Sequence, residues 1–231
     1  MGLTEIRLAF VLLIIAAYLI GNINTSVILA KFVFHTDDIE NSDSGKFVVY
    51  TIAGNMLKGI TAVLLGVLIQ EIFFYTYDMA VEPMIFDETF LSYERDTDLW
   101  FLLAFPYAAG LFVITGHMFP VFSKFRGGKG VAISAAVILS LPIHCIIGFA
   151  VAVIALIVII ISRYVSPGVL IGAVLYPLIV LVFFIKQPWY CNLLCFVFAL
   201  LTAALSIAKH SSNIKRLLKG EENKLGAKKH K

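Results

Sequence analysis

The sequence predicts an all-helical integral membrane protein of about seven transmembrane helices, N-terminus outside and C-terminus cytoplasmic. Three observations carry that prediction. Apolar residues make up 60% of the 231 positions and charged residues only 14%, with a mean hydropathy of +0.94; soluble domains carry about a quarter charged residues. The apolar residues fall into runs of spanning length. Lys and Arg collect in a few of the connections and in the tail, as the positive-inside rule requires.

In order, the apolar runs lie near 6–33, 47–74, 99–122, 129–143, 144–162, 166–186 and 189–208. Met1 to Arg7 leads straight into the first run, which no small-residue cleavage site ends at signal-peptide length, so it reads as a retained span. The fourth and fifth runs are short and meet at Leu141-Pro142-Ile143-His144; two helices fit there better than one very long one. Residues 1–208 therefore form one polytopic membrane domain, and 209–231 form a basic tail, with no room for a second soluble domain. The loop 119–130 carries Lys124, Arg126 and Lys129, Arg163 sits in a short link, and the tail holds eight Lys/Arg against Glu221 and Glu222. The segment 78–98 is strongly acidic, with Arg95 its only cation. Cytoplasmic cations orient the bundle, although 35–46, on the same predicted side, is acidic.

The most informative stretch is Gly116-His117-Met118-Phe119-Pro120-Val121-Phe122-Ser123-Lys124-Phe125-Arg126-Gly127-Gly128-Lys129-Gly130, which has no acid. Gly127, Gly128 and Gly130 allow successive backbone N–H groups to turn toward one point around Lys129, and a helix N-terminus is predicted at Val131. Free N–H groups, partial positive charge and cations together suit a phosphate. The spacing is not that of a Walker A loop. The plainer reading is a basic loop that only fixes topology. Further polar residues gather at the same cytoplasmic half: Asn22, Asn24, Asn55, Lys58, Arg163, Ser166, His210 and Asn213. A Lys at mid-bilayer costs about 3 kcal/mol on insertion scales, so Lys58 is expected to face the bundle interior.

Familiar catalytic patterns are absent from the sequence. None of the five His has an Asp five residues on, and there is no Gly-x-Ser-x-Gly elbow, His-Glu-x-x-His motif or Cys–His pairing by sequence. Cys145, Cys191 and Cys195 lie in apolar segments without metal-type spacing and read as packing residues. Chemistry at this loop would rest on positioning and charge stabilisation at phosphates.

These residues resemble a known family. Gly116-His117 to Phe122, followed by Phe125-Arg126-Gly127-Gly128-Lys129-Gly130-Val131-Ala132, resembles the central motif of the bacterial acyl-phosphate-dependent glycerol-3-phosphate acyltransferases, the PlsY family. His210-Ser211-Ser212-Asn213-Ile214-Lys215-Arg216-Leu217 is similar to its His-Arg-x-Asn-Ile-x-Arg-Leu motif. Gly21-Asn22-Ile23-Asn24-Thr25 resembles its first-helix pattern, and Arg163-Tyr164-Val165-Ser166 its Arg-Tyr-x-Ser segment. The resemblance implies a seven-helix enzyme of the plasma membrane, active in phospholipid synthesis, that passes an acyl group from acyl phosphate to glycerol 3-phosphate. Coenzyme A, carrier protein, metal and nucleic acid have no part in it. It implies that Lys129, Arg126, Gly127, Gly128, Gly130, His117 and Lys58 bind phosphate or substrate. Ser166, Asn213 and His210 are the implied catalytic group.

The chain departs from the family at the first loop. The family's Ser-Gly-Asn-x-Gly-Ala-Thr-Asn stretch is deleted, and the shorter, acidic Asp37-Asp38-Ile39-Glu40-Asn41-Ser42-Asp43-Ser44-Gly45-Lys46 stands in the corresponding chain. Asn55 and Val169 replace an Asp and a Ser, and Ser211 replaces the Arg after the final His. A lost backbone clamp weakens the hold on the acceptor's phosphate more than on the donor's. A related phosphorylated acceptor, or a non-catalytic relative that binds acyl phosphate or lysophosphatidate, therefore stays open beside the enzyme reading. An anion transporter is a third reading, without the inverted repeat such folds carry.

Overall fold

The computed structural model describes residues 3–35, 45–80, 99–141, 144–183 and 189–224. The acidic segments at 36–44 and 81–98 and the last residues of the tail, which entered the sequence reading, lie outside them. The described residues form α1 (Leu3–Asn22), α2 (Thr25–Phe32), α3 (Gly45–Ala80), α4 (Leu99–Met118), α5 (Val131–Ser140), α6 (Cys145–Ser162), α7 (Val165–Phe183), α8 (Trp189–Lys209) and α9 (Ser211–Lys219). A single 3-10 turn at Val121–Ser123 follows α4.

Five of these helices are long and apolar enough to cross a membrane, or six if the bent pair α8–α9 is one span. The protein is thus a multi-pass membrane protein. Helix α5 has 10 residues, so it is about 15 Å long, half the thickness of a hydrocarbon core. The break between α5 and α6 falls where two helices were expected.

The first predicted run is not one helix. It breaks after Asn22, because Asn24 caps α2: its side chain accepts from the Val27 N–H at 3.3 Å. The break leaves carbonyls of Gly21 and Ile23 to be satisfied from outside the helix.

Helix α4 is the centre of the bundle. It touches α1, α3, α5 and α8, and 61% of its span is buried, against 17% for α6. Its contact with α1 is close because Gly21 and Gly116 face each other. A Cβ on Gly116 would lie 2.2 Å from the Tyr18 carbonyl oxygen, and one on Gly21 would lie 2.3 Å from that of Val113. Small residues at a helix crossing bring backbones together in this way. Large apolar side chains such as Ile146, Ile160 and Ile161 face outward, while Asn22, Lys58, Ser166, His210 and Asn213 are buried. That distribution suits a lipid solvent around a polar interior.

Candidate functional site at the loop after the fourth helix

Lys58, on α3, is buried at the α1–α2 break. Its ammonium donates to the Ile23 carbonyl at 2.7 Å and lies 3.4 Å from the Gly21 carbonyl and from His117 Nδ1. An ammonium only donates, so Nδ1 of His117 accepts and its Nε2 carries the proton. The His117 ring supports the glycine loop: a Cβ on Gly128 would lie 2.6 Å from Nε2. Gly127 presses equally close to the His117 backbone, where a Cβ would lie 2.1 Å from the carbonyl oxygen.

This corrects the reading of the three glycines. Only Gly130 has a positive φ, +77°, and it caps α5. Gly127 and Gly128 are required by close approach to His117. Lys129 and Arg126 are exposed, and Gly127 and Gly128 lie open to solvent above the histidine. Left-handed backbone at Lys124 and Phe125 turns the chain back toward the helix, closed by the Phe125 N–H bond to the Pro120 carbonyl at 2.9 Å. Two bonds tie the loop to α1. Asn22 Oδ1 accepts from the Val121 N–H at 2.6 Å, and Tyr18 donates to the Phe119 carbonyl at 2.8 Å. Lys209, at the end of α8, stands 4.1 Å over the Phe119 ring.

A second group lies where α7, α9 and the tail meet. Gly220 ends α9 in a left-handed conformation, and its N–H and that of Glu221 return to carbonyls of α9. This turn brings Glu222 back over the helix. Its carboxylate accepts from Ser166 Oγ at 2.5 Å, Asn213 Nδ2 at 2.8 Å and Arg216 Nε at 2.9 Å. Asn213 Nδ2 also donates to Ser166 Oγ at 2.7 Å. Ser166 and Asn213 come from the first turns of their helices, where free N–H groups favour an anion. His210 Nδ1 lies 2.8 Å from the Ser206 carbonyl. A carbonyl only accepts, so in the neutral ring Nε2 is the basic nitrogen.

The two groups are linked at the α8–α9 bend, where Lys209, next to His210, stands over the Phe119 ring. Val131, next to Gly130, and Ser206, bonded to His210, both line the space between α5 and α8.

A family model described as glycerol-3-phosphate acyltransferase matches residues 11–220. The chain belongs to this family. It is 35% identical to the glycerol-3-phosphate acyltransferase of Thermoanaerobacter pseudethanolicus, over 94% of this chain and 96% of that protein. It is 33% identical to the one from Halalkalibacterium halodurans, over the same shares. Its fold matches the crystal structure of PlsY, an integral membrane glycerol 3-phosphate acyltransferase, in the lysophosphatidic acid form. There the TM-score is 0.65 at 25% identity, covering 94% of this chain and 95% of that one.

The structure brings Ser166 and Asn213 into contact and sets His210 three residues away on the same bend. It brings His117, Gly127, Gly128 and Lys58 together in the first group. Glu222 was not singled out in the sequence, where it looks like an acid diluting a basic tail. The available signal was Gly220, a helix stop that returns an acid toward Asn213.

Burial acts to raise the Glu222 pKa, but hydrogen bonds from Ser166, Arg216 and Asn213 and the Arg216 charge outweigh it and lower it from 4.5 to about 2. With the folded value below the unfolded one, this carboxylate contributes stability above pH 4.5 that is lost as pH falls toward 2. Glu222→Ala is expected to lower the stability of the purified protein by about 2–3 kcal/mol at neutral pH. Glu222→Gln should flatten the pH dependence of its thermal midpoint in that acidic window. A midpoint curve unchanged by Glu222→Gln would show that the carboxylate holds nothing.

Proposed function

We propose that the protein transfers an acyl group from acyl phosphate to glycerol 3-phosphate, or to a closely related phosphorylated acceptor, giving lysophosphatidate and inorganic phosphate. The acceptor's hydroxyl oxygen bonds to the acyl carbon, and the bond from that carbon to the phosphate oxygen breaks. Its electron pair leaves with phosphate, which also takes the hydroxyl proton; phosphate is a good leaving group because its charge is spread over its oxygens. Such a reaction needs no covalent enzyme nucleophile. The protein's task is to hold two phosphates and stabilise the charge on the reacting oxygen.

The observation that carries this reading is the contact of the cationic glycine loop with the α8–α9 bend that bears His210 and Asn213, where Lys209 stands over the Phe119 ring. In this reading, Lys129, Arg126 and the N–H groups of Gly127, Gly128 and Gly130 bind the donor phosphate. Lys58 and His117 support the loop from beneath and add positive potential. Ser166, Asn213 and His210 meet the acceptor and the reacting carbonyl. The matched PlsY crystal structures include a glycerol 3-phosphate form and a lysophosphatidic acid form, which is the same pair of small molecules. No cofactor is needed for this chemistry. The shortened, acidic 37–46 segment leaves the acceptor phosphate the more weakly held of the two.

We further propose seven membrane helices, with the short α5 counted among them, in the plasma membrane. The N-terminus is outside, and the site and tail face the cytoplasm. A reporter fused after the last residue should read cytoplasmic and one inserted at Glu88 external. The reverse pair would put the site on the wrong face for cytoplasmic substrates.

Purified protein in nanodiscs is expected to release phosphate and form lysophosphatidate from acyl phosphate and glycerol 3-phosphate. Lys129→Ala should reduce kcat/KM for acyl phosphate by roughly ten- to 150-fold, the range of a charged hydrogen bond. Lys124→Ala, in the same loop but before the glycines, should cost far less. Equal small effects would reduce the loop to a topology signal, and binding of acyl phosphate without any product would favour the non-catalytic relative.

A further inference from the structure

We propose that the turn at 121–126, which leads into the glycine loop, is a docking surface for the headgroup layer of an anionic phospholipid bilayer. Phe122 and Phe125 enter the boundary between headgroups and acyl chains, Lys124 sits on the lipid phosphates, and the contact steadies the glycines that follow. The acyl-transfer reading gives none of these three side chains a role. The candidate membrane span that contains α4 runs from Phe101 to Ser123, so the turn begins where a crossing ends. Phe122 is 78% exposed and Phe125 60%, and Lys124 is exposed between them. Two rings that the protein leaves largely uncovered are unfavourable in water, and the edge of a bilayer offers them a partner.

The backbone fixes this display. Lys124 and Phe125 have φ of +52° and +61°, a conformation that residues with a side chain seldom adopt. The Ser123 and Lys124 N–H groups close the turn on the Pro120 and Val121 carbonyls, each at 3.2 Å. The Arg126 N–H reaches the Ser123 carbonyl at 3.0 Å, so what holds the turn also holds the chain entering Gly127. Charge selects the lipid. From Gly116 to Gly130 there are cations and no acid. The same pattern recurs on α9, at the same end of the bundle, since Lys209 at the α8–α9 bend stands over the Phe119 ring. Helix α9 leaves α8 at 57° and so tips toward the membrane plane. On it Leu218 is 84% exposed, with exposed Lys215 and Lys219 on the same face. Exposed apolar side chains beside cations match a leaflet that offers phosphates outside and acyl chains within.

Phe122→Trp tests the contact in nanodiscs, through the emission it adds to that of Trp100 and Trp189. Phosphatidylglycerol or phosphatidylcholine, brominated near the top of its acyl chains, replaces part of the plain lipid, and bromine quenches the indole only on contact. Both lipids are expected to quench, with phosphatidylglycerol favoured at the turn about fivefold, the effect of one cation near an anionic surface. Lys124→Ala should remove that preference, as should about 1 M salt, where the screening length falls to about 3 Å. Phe125→Trp repeats the reading from the second ring. No quenching by either lipid would put the turn in water, where a soluble protein partner would meet it, and would overturn the docking. Equal quenching by both would overturn the anionic headgroup as the occupant. Amide hydrogen exchange reads the steadying of the loop. In phosphatidylglycerol nanodiscs the amides of 124–130 should exchange faster in Lys124→Ala than in the parent protein, and in phosphatidylcholine nanodiscs the two should agree. The same result in both lipids would overturn the coupling to the glycines. None of these measurements uses turnover, so they stand or fall apart from the acyl-transfer reading.

Discussion

The ammonium of Lys58 is the interaction on which the geometry of the glycine loop depends. The break between α1 and α2 exposes carbonyls of Gly21 and Ile23 at the end of the first candidate membrane span. Lys58 reaches both, and in doing so holds α3 against the break and sets His117 by its Nδ1. His117 in turn sets the height of Gly127 and Gly128. A buried cation is unfavourable alone, and here carbonyl dipoles offset its desolvation. The glycine loop is thus shaped from below by a buried charge.

The group around Ser166 and Asn213 uses the opposite sign. Glu222, folded back by the Gly220 turn, gathers Ser166, Asn213 and Arg216 from α7 and α9. Fixing Ser166 and Asn213 to a common carboxylate costs their side chains rotational freedom during folding instead of during reaction. Val131, next to Gly130, and Ser206, whose carbonyl bonds His210, line one apolar space. An amphiphilic donor with a phosphate head and an apolar tail matches that sequence of surfaces.

Much of the architecture was legible because lipid imposes a simple rule: long apolar runs become helices, in the order read. The break at Asn24 was not, since an Asn inside an apolar run reads equally as a helix-packing residue; only the Val27 cap bond decides it. The glycine loop stood out in the sequence by its composition, but the reason for Gly127 and Gly128 did not, because the constraint is the His117 ring and backbone and not their own φ. Glu222 escaped notice because its partner Ser166 is 56 residues away. Lys58 was expected to face the interior, and it does, but its carbonyl partners are visible only once the α1–α2 break is known.

The central claim is that the glycine loop holds the donor's phosphate. A crystal or electron-microscopy structure with a hexadecyl acyl phosphonate tests it most directly. The account predicts the phosphonate against Lys129 and the N–H groups of 127–130. A phosphonate bound away from the glycine loop would contradict it.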